Sequence, residues 1–501
     1  MNEINLLHAK NVITRKTALP EQQLSFSLLV DDLAFDKQVD VLWAGEDGAW
    51  HTLAASFHGK AAAGREYWRA RAAFPLTAER SLPGNIQFAL RYRVAGAEYW
   101  DNNQGVNHST QADSGIMLAT KRPLQNVAFE DRLADGQTSL RVVVAADRQL
   151  AADEVSIHWT SDDWQSAHEA VAVYQSDYWQ SEFHSNARNP NHYGCQIWQA
   201  ELPVDDAFRI RYRIACKARQ QTFTDDNFGA NYTVRRRPLA VMILNLHCCQ
   251  EDRQDEKLSL IARAIDELDV DLVCLQEVAE LWNNGQGDWA TNTARIINQR
   301  LRAPYHLVTD WSHRGFDRYR EGVAVLSRLP IRCHRERYVS NSRNPLSIHS
   351  RKVVMAQVNV PYVGLVNVFS SHLSWWEDGF AEQFENLRQW AASEHSPEVS
   401  ATLLCGDFNI KAGAKGYQFV VASNEYNDQY LAANSPEIFH RVFSVREAGW
   451  EHDLDQDHRI DYVFLRKGSG LAVIAGRTVF TEQDYGRVSD HFGYLMTFEP
   501  T

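Results

Sequence analysis

Polar residues at the ends of apolar runs are the chemical signal in the second half of the chain. Asn245 sits in MILNLH, Glu277 closes DLVCLQE and His372 ends NVFSSHL; Asp407 and Asn409 close LLCGDFN, Asp461 sits in HRIDYVFL, and Asp490 and His491 stand in VSDHFGYL. Singly, each is ordinarily a turn or cap residue. As a set their types complement one another. Asn245, Glu277 and Asp490 offer the hard oxygens that Mg²⁺ prefers, with Mn²⁺ as the alternative, and few enough protein ligands for water and substrate oxygens to complete an octahedron. No Cys/His cluster of zinc spacing competes. Asp461 can fix the tautomer of His491, a pair suited to proton transfer near neutrality. Asp407 can orient or deprotonate a water, and His372 with Asn409 can hydrogen-bond phosphoryl oxygens as charge develops on them. The chemistry expected of the set is metal-assisted, in-line attack of water on phosphorus.

These residues need rigid carriers, and the apolar pattern supplies them. Leu239 to Leu246 is a continuous apolar strand, Leu258, Ile261, Ile265 and Leu268 recur at helical spacing, and Val270 to Leu275 is a second strand. Further on the pattern predicts a strand at Val323 to Leu326, a hairpin of Val353 to Val360 with Val363 to Phe369 and a helix near Ala381 to Ala392. Strands follow at Thr402 to Cys405, Tyr462 to Leu465, Leu471 to Ile474 and Phe492 to Phe498. Residues 238–501 read as one mixed α/β domain. Arg235, Arg236 and Arg237, before Pro238, read as a solvated linker.

LNLH, CLQE, SSHLSWW, CGDFN, RIDYVFL and SDHFGYL stand in the order and spacing of the endonuclease/exonuclease/phosphatase superfamily, and residues 238–501 resemble it. That superfamily includes pancreatic deoxyribonuclease, abasic-site endonucleases, neutral sphingomyelinases and inositol-polyphosphate 5-phosphatases. The resemblance implies a four-layer α/β sandwich and Mg²⁺-dependent phosphoester hydrolysis. It makes Glu277 the principal metal ligand, supported by Asn245 and Asp490. Asp407 and Asn409 stand beside the nucleophile and phosphate, His372 on the phosphate, and His491 is backed by Asp461. Tyr319 and Arg320 sit where the family has a phosphate-side tyrosine and arginine, with an ion-paired loop as the other reading. The leaving group is left to loops, Trp282 to Trp289, Asp310 to Arg320 and Trp375-Trp376. Glu451 to His458 lacks the central Gly and terminal Glu of a calcium loop and reads as a solvated acidic loop.

The first half repeats itself. Leu24–Trp43 aligns with Leu140–Trp159, Phe88–Val94 with Phe208–Ile214, and Asp101–Asn107 (DNNQGVN) with Asp225–Asn231 (DDNFGAN). Apolar residues alternate with period two between Gly, Asn and Asp clusters, so each copy is expected to be an antiparallel β-sandwich. The expected architecture is multidomain: immunoglobulin-like sandwiches over 1–120 and 121–236, then the four-layer α/β sandwich over 238–501. YWDNNxGxN after an FxLRY strand resembles the starch- and glycogen-binding modules of glucoamylases and of glycogen-targeting phosphatase subunits. The resemblance implies sugar stacking on Trp100, with Trp68 and Tyr67 next, beside Asp101, Asn102, Asn103 and Asn107. Trp43 and Trp159 are expected in the cores. The second copy departs at Thr224-Asp225-Asp226, so its glucan site is expected to be weakened or lost. Two sites reaching one polymer would multiply weak affinity.

Composition limits the alternatives. The 501 residues need several cores, and 44% hydrophobic with 23% charged residues excludes disorder and coiled coil. The net charge of −13, and 26 Lys+Arg against 35 Asp+Glu over 238–501, disfavour nucleic acid as partner. The seven cysteines form no CxxC pair and read as reduced; no leader or membrane-spanning run is present, so the expected compartment is the cytoplasm. The reading favoured is a phosphoesterase, by preference a phosphodiesterase, tethered to glycogen or another α-glucan. The alternative is a nuclease or sphingomyelinase-like phosphodiesterase whose sandwiches serve as protein-interaction or spacer domains. A scaffold without activity is the third reading, and the intact site set argues against it.

Overall fold

Period-two alternation in the first half becomes sheets with one apolar face each. The computed structural model describes residues 3–14, 19–34, 36–61, 64–120, 122–177, 193–247, 249–445 and 449–501; Cys248 lies outside them, and the other six cysteines are free thiols. Contacts divide the chain into Met1–Arg237 and Pro238–Thr501. No helix among the described residues is long and apolar enough to cross a membrane.

In the first unit one sheet runs Gly115–Leu118, Ile4–Thr14, Glu21–Asp31, Arg65–Pro75, Ser56–Ala61. A second runs Trp50–Ala54, Lys37–Ala44, Ile86–Val94, Ala97–Asp101. Phe26, Val41, Phe88, Leu90 and Tyr92 join the two in a single core. The second repeat has the sheets Leu124–Asn126, Ser139–Asp147, Cys195–Pro203, Val173–Asp177 and His168–Val171, Ala152–Thr160, Arg209–Ala218, Gln221–Asp225. Its core likewise draws on both sheets, through Val142, Leu202, Ile157 and Ile214. Trp43 and Trp159 are buried, each with a histidine ring against it, His51 at 4.8 Å and His168 at 4.6 Å.

The repeat extends to single hydrogen bonds. Asp101 accepts the Leu6 N–H and Asp225 the Asn126 N–H, both at 3.0 Å. Asn102 accepts the Gly105 N–H at 3.0 Å and Asp226 the Gly229 N–H at 2.9 Å. The side-chain amides of Asn103 and Asn227 donate to the carbonyls of Asn107 and Asn231. Where the copies differ is in what the loop meets. Asn227 is buried and bonded to the Tyr67 hydroxyl, and Arg65 and Arg122 lie over the Phe228 ring. Tyr67, expected as a sugar platform, is therefore a joint residue between the two repeats.

The arginine junction also corrects expectation. Arg236 is fully buried and donates to the carbonyls of Ala134, Gln137, Asp205 and Ala207, so it fastens two loops instead of lying in solvent.

In the second unit one six-stranded sheet runs His306–Gly315, Tyr319–Ser327, Leu272–Leu281, Leu239–Asn245, Gly493–Pro500, Leu471–Val479. The other runs Ile331–Tyr338, Lys352–Val360, Gly364–His372, Val399–Asp407, Asp461–Arg466, Tyr426–Asp428. A core of Val241, Ile243, Cys274, Val325, Val354, Val368, Leu403 and Val463 joins the two sheets. The helix Gln254–Glu267 covers the first sheet through Leu258, Ile261 and Ile265. The helix Phe380–Glu394 covers the second through Phe384, Leu387 and Trp390. The strands His306–Gly315 and Ile331–Tyr338, which carry mixed polar patterns, gave no clear period in the sequence.

Arg236→Ala removes four hydrogen bonds from a buried guanidinium to the carbonyls of Ala134, Gln137, Asp205 and Ala207. The expected outcome is a loss of about 3 kcal/mol or more in urea unfolding of the N-terminal transition, with the C-terminal transition unmoved.

Candidate functional site

Strand register assembles the site. His372 pairs with Asp407 across two parallel strand ends, and Asp407 with Asp461 across the next pair, so the three form one row over adjacent strands. In the other sheet Asn245 pairs with Gln276. The register there slips between Leu275 and Val278, and Glu277 takes a φ of +49°. Asn409 at +51° and His247 at +45° share this left-handed conformation, which non-glycine residues adopt at a cost, typically at functional sites. Gly406, at +129°, is obligatory: a Cβ would stand 2.1 Å from the Ser371 carbonyl oxygen.

Asn245 ties the two sheets together. Its side-chain amide donates to Glu277 Oε1 and to Asp407 Oδ2, both at 3.0 Å, while its Oδ1 accepts the His247 N–H. Asp407 Oδ1 accepts the Asn409 N–H at 2.8 Å, and the Asn409 side-chain amide donates to the Leu373 carbonyl. His491 donates through Nδ1 to Asp461 Oδ2 at 2.8 Å. Its Nε2 stands 3.9 Å from Asp407 Oδ2, and His372 Nε2 stands 3.7 Å from the same oxygen. Both gaps are too long for hydrogen bonds and short enough for strong charge coupling.

The electrostatics follow from burial. Asp407, 2% exposed, is pushed up to about 7 by burial and by Asp461, against the pull of His491. Burial also raises Asp461. For His491 burial opposes the charge, yet the Asp461 hydrogen bond and the carboxylates of Asp461, Asp407 and Asp490 override it and hold the imidazolium up to about 9. His372 goes the other way: burial, then Arg351, keeps it neutral. Burial and neighbouring Glu321 raise Glu277.

Sequence-expected ligands are brought together in part. Asn245 touches Glu277, whereas Asp490 lies 3.5 Å from His247, which with Glu251 forms a second His/carboxylate group. The donors still fit a hard cation: an all-oxygen set, a desolvated Glu277 crowded by Glu321, and a buried Asp461 Oδ1 without a hydrogen-bond partner all favour added positive charge. Arg320 is held by Glu280 at 2.6 Å, and Tyr319 packs on the core between the first sheet and its helices. Reasoning from sequence missed His247, although it closes LNLH, and Glu251 four residues on. It also missed Arg351, whose 8% exposure and influence on His372 leave no periodic trace.

In the first unit Trp100 is 39% exposed, its indole N–H held by Glu98 and Arg91 over its ring. Asp101 is occupied by Leu6 and His108, and Asn102, Asn103 and Asn107 by the turn itself. Trp68 lies on the other sheet, half-buried and bonded to Glu66, with exposed Phe57 at its edge.

With this geometry in view, known proteins can be compared. Residues 242–491 match the endonuclease/exonuclease/phosphatase family, and residues 6–111 match the carbohydrate/starch-binding module of family 21. The chain carries a phosphoesterase-family domain and, ahead of it, a starch-binding module. Protein phosphatase 1 regulatory subunit 3E of Mus musculus is 36% identical over 104 residues, 21% of this chain and 36% of that protein. The Homo sapiens protein is 39% identical over 84 residues, 17% and 29%. The chain thus spans about a third of the length of these relatives. Among solved structures, an endonuclease/exonuclease/phosphatase family protein from Leptotrichia buccalis is 26% identical, covering 52% of this chain and 99% of its own, with TM-score 0.44. The human Nocturnin catalytic domain is 18% identical over 53% and 95%, TM-score 0.39. The Bacteroides thetaiotaomicron mannosyl-6-phosphatase is 15% identical over 52% and 99%, TM-score 0.37.

In metal-free protein the His491 imidazole, followed by NMR, is expected to titrate near 9. In Asp461→Asn, stripped of its principal partner, it should fall toward the ordinary value of about 6.5; an unchanged titration would remove Asp461 from its assigned part.

Proposed function

We propose that the chain is a Mg²⁺-dependent phosphoesterase, by preference a phosphodiesterase, tethered to glycogen or another α-glucan by its first sandwich. The observation that carries the catalytic part is the convergence of His372 and His491 on one oxygen of buried Asp407. Tandem sandwiches ahead of a four-layer α/β sandwich, with boundaries near 120 and 237, complete the architecture proposed.

Glu277, Asn245 and Asp490 would hold the cation, which supplies Lewis-acid polarisation of the phosphoryl oxygens. The remaining steps belong to side chains. Asp407, raised into the neutral range, accepts a proton from the attacking water as its oxygen bonds to phosphorus. His491 is charged at neutral pH and gives its Nε2 proton to the departing ester oxygen as the P–O bond breaks. Asp461 stays bound to Nδ1 and stabilises the imidazolium throughout. Neutral His372 donates a hydrogen bond to a phosphoryl oxygen, and buried Arg351 adds charge on that side.

Carbohydrate attachment rests on the family 21 match and on the Trp100 ring. The equivalent loop of the second repeat is closed by Tyr67 and two arginines, so this loop type binds once per chain and not twice.

Hydrolysis of a chromogenic phosphodiester, compared with its monoester, tests the reading. Asp407→Ala and His491→Ala should each lose about 10³-fold in kcat, on the scale of removing a proton-transfer group; activity retained in either would refute its role. The pH profile of kcat/KM should rise through about 7 as Asp407 ionises and fall through about 9 as His491 loses its proton. Glycogen co-sedimentation should weaken about tenfold in Trp100→Ala, the worth of one lost stacking contact of roughly 1.4 kcal/mol.

A further inference from the structure

The seam between the two N-terminal repeats, both within the unit Met1–Arg237, contains a pocket. It holds about 370 Å³ of space, open solvent included, and is lined by His8, His58, Tyr67, Arg69, Arg122 and Tyr232 among others. The first and second repeats contribute about equally to it. Among the described residues its wall contains no carboxylate.

His8 is the acceptor in this wall. It is 6% exposed, and its Nδ1 donates to Gln125 Oε1 at 3.3 Å. Nε2 therefore presents a lone pair, for which no hydrogen-bond partner exists among the described residues. Burial, reinforced by Lys10, Arg69 and Arg71, pushes the imidazole down to about 3, so the ring stays neutral and cannot become a donor at Nε2.

Arg122 is the donor. Its guanidinium lies 3.9 Å above the Phe228 ring and makes no direct ion pair among the described residues, Asp225 acting on it from a distance. Stacked this way, it keeps its in-plane N–H edge for an oxyanion, the bidentate geometry that guanidinium favours. Arg69 adds charge, but its two amino groups are occupied by Glu130 and the Phe129 carbonyl.

We infer that the seam pocket binds one inorganic hydrogenphosphate ion, two oxygens on Arg122 and the P–OH hydrogen on His8 Nε2. The choice of ion follows from the wall: cationic donors call for an oxyanion, and a neutral acceptor calls for one that still carries a hydrogen. Sulfate has the shape and charge of hydrogenphosphate but no hydrogen at neutral pH. The site deepens the joint made by Tyr67, Asn227 and Phe228, because its ligand bridges residues of both repeats.

Isothermal titration calorimetry of the full chain with sodium phosphate, in EDTA, tests this. His372→Ala, which removes the hydrogen bond assigned to phosphate at the C-terminal site, is included so that uptake there is separable. The expected result is one phosphate per chain, retained in His372→Ala, weakened at least tenfold in Arg122→Gln, with sulfate at least tenfold weaker than phosphate on the unaltered protein. Sulfate binding equal to phosphate, or phosphate uptake that survives Arg122→Gln and disappears in His372→Ala, would overturn the inference. The sulfate comparison needs no variant and so decides the matter even if Arg122→Gln fails to fold.

Discussion

Burying carboxylates beside one another is the constraint on which the C-terminal unit depends. Asp407 and Asp461 face each other on neighbouring strands, both almost fully buried, and Glu277 lies one side-chain amide away from Asp407. Like charges at such separations repel strongly where water is excluded. The fold answers with the imidazolium of His491, the amide of Asn245, the N–H of Asn409 and the guanidinium of Arg351. What is left over is an excess of negative oxygen that calls for a cation. The same crowding that threatens stability brings Asp407 into the neutral range and holds His491 charged, giving one group ready to take a proton and another ready to give one.

Two β-sheet registers make that crowding reproducible. The row His372, Asp407, Asp461 is set by pairing in one sheet, and the slip at Gln276–Glu277 turns a carboxylate out of the other toward it. Asn245 reaches both Glu277 and Asp407 with its side-chain amide, and it is wholly buried. Its substitution would unfasten two sheets as well as a ligand set.

Much of this was legible in the sequence because strands buried on both faces read as apolar runs, and a polar residue that ends such a run has few places to go. Asn245, Glu277, His372, Asp407 and Asp461 all stand out in that way. Arg351 does not: it precedes its strand among other polar residues, and only tertiary packing buries it. Glu251 was hidden for the same reason, in the run of polar residues before the helix Gln254–Glu267. In the first half, the repeat disclosed strands and loops, down to paired asparagines, but not partners. Tyr67 read as a platform and Arg236 as a linker residue because exposure is decided by what the neighbouring repeat covers, which no alternation encodes.

The central claim is that the buried oxygen cluster is built for a divalent cation centred on Glu277. Calorimetric titration of the chain with Mg²⁺ at neutral pH, beside Glu277→Gln, tests it most directly. The account predicts saturable binding accompanied by proton release from the raised carboxylates, and at least a tenfold loss of affinity in Glu277→Gln. Absence of Mg²⁺ binding, or equal binding by the variant, would contradict it.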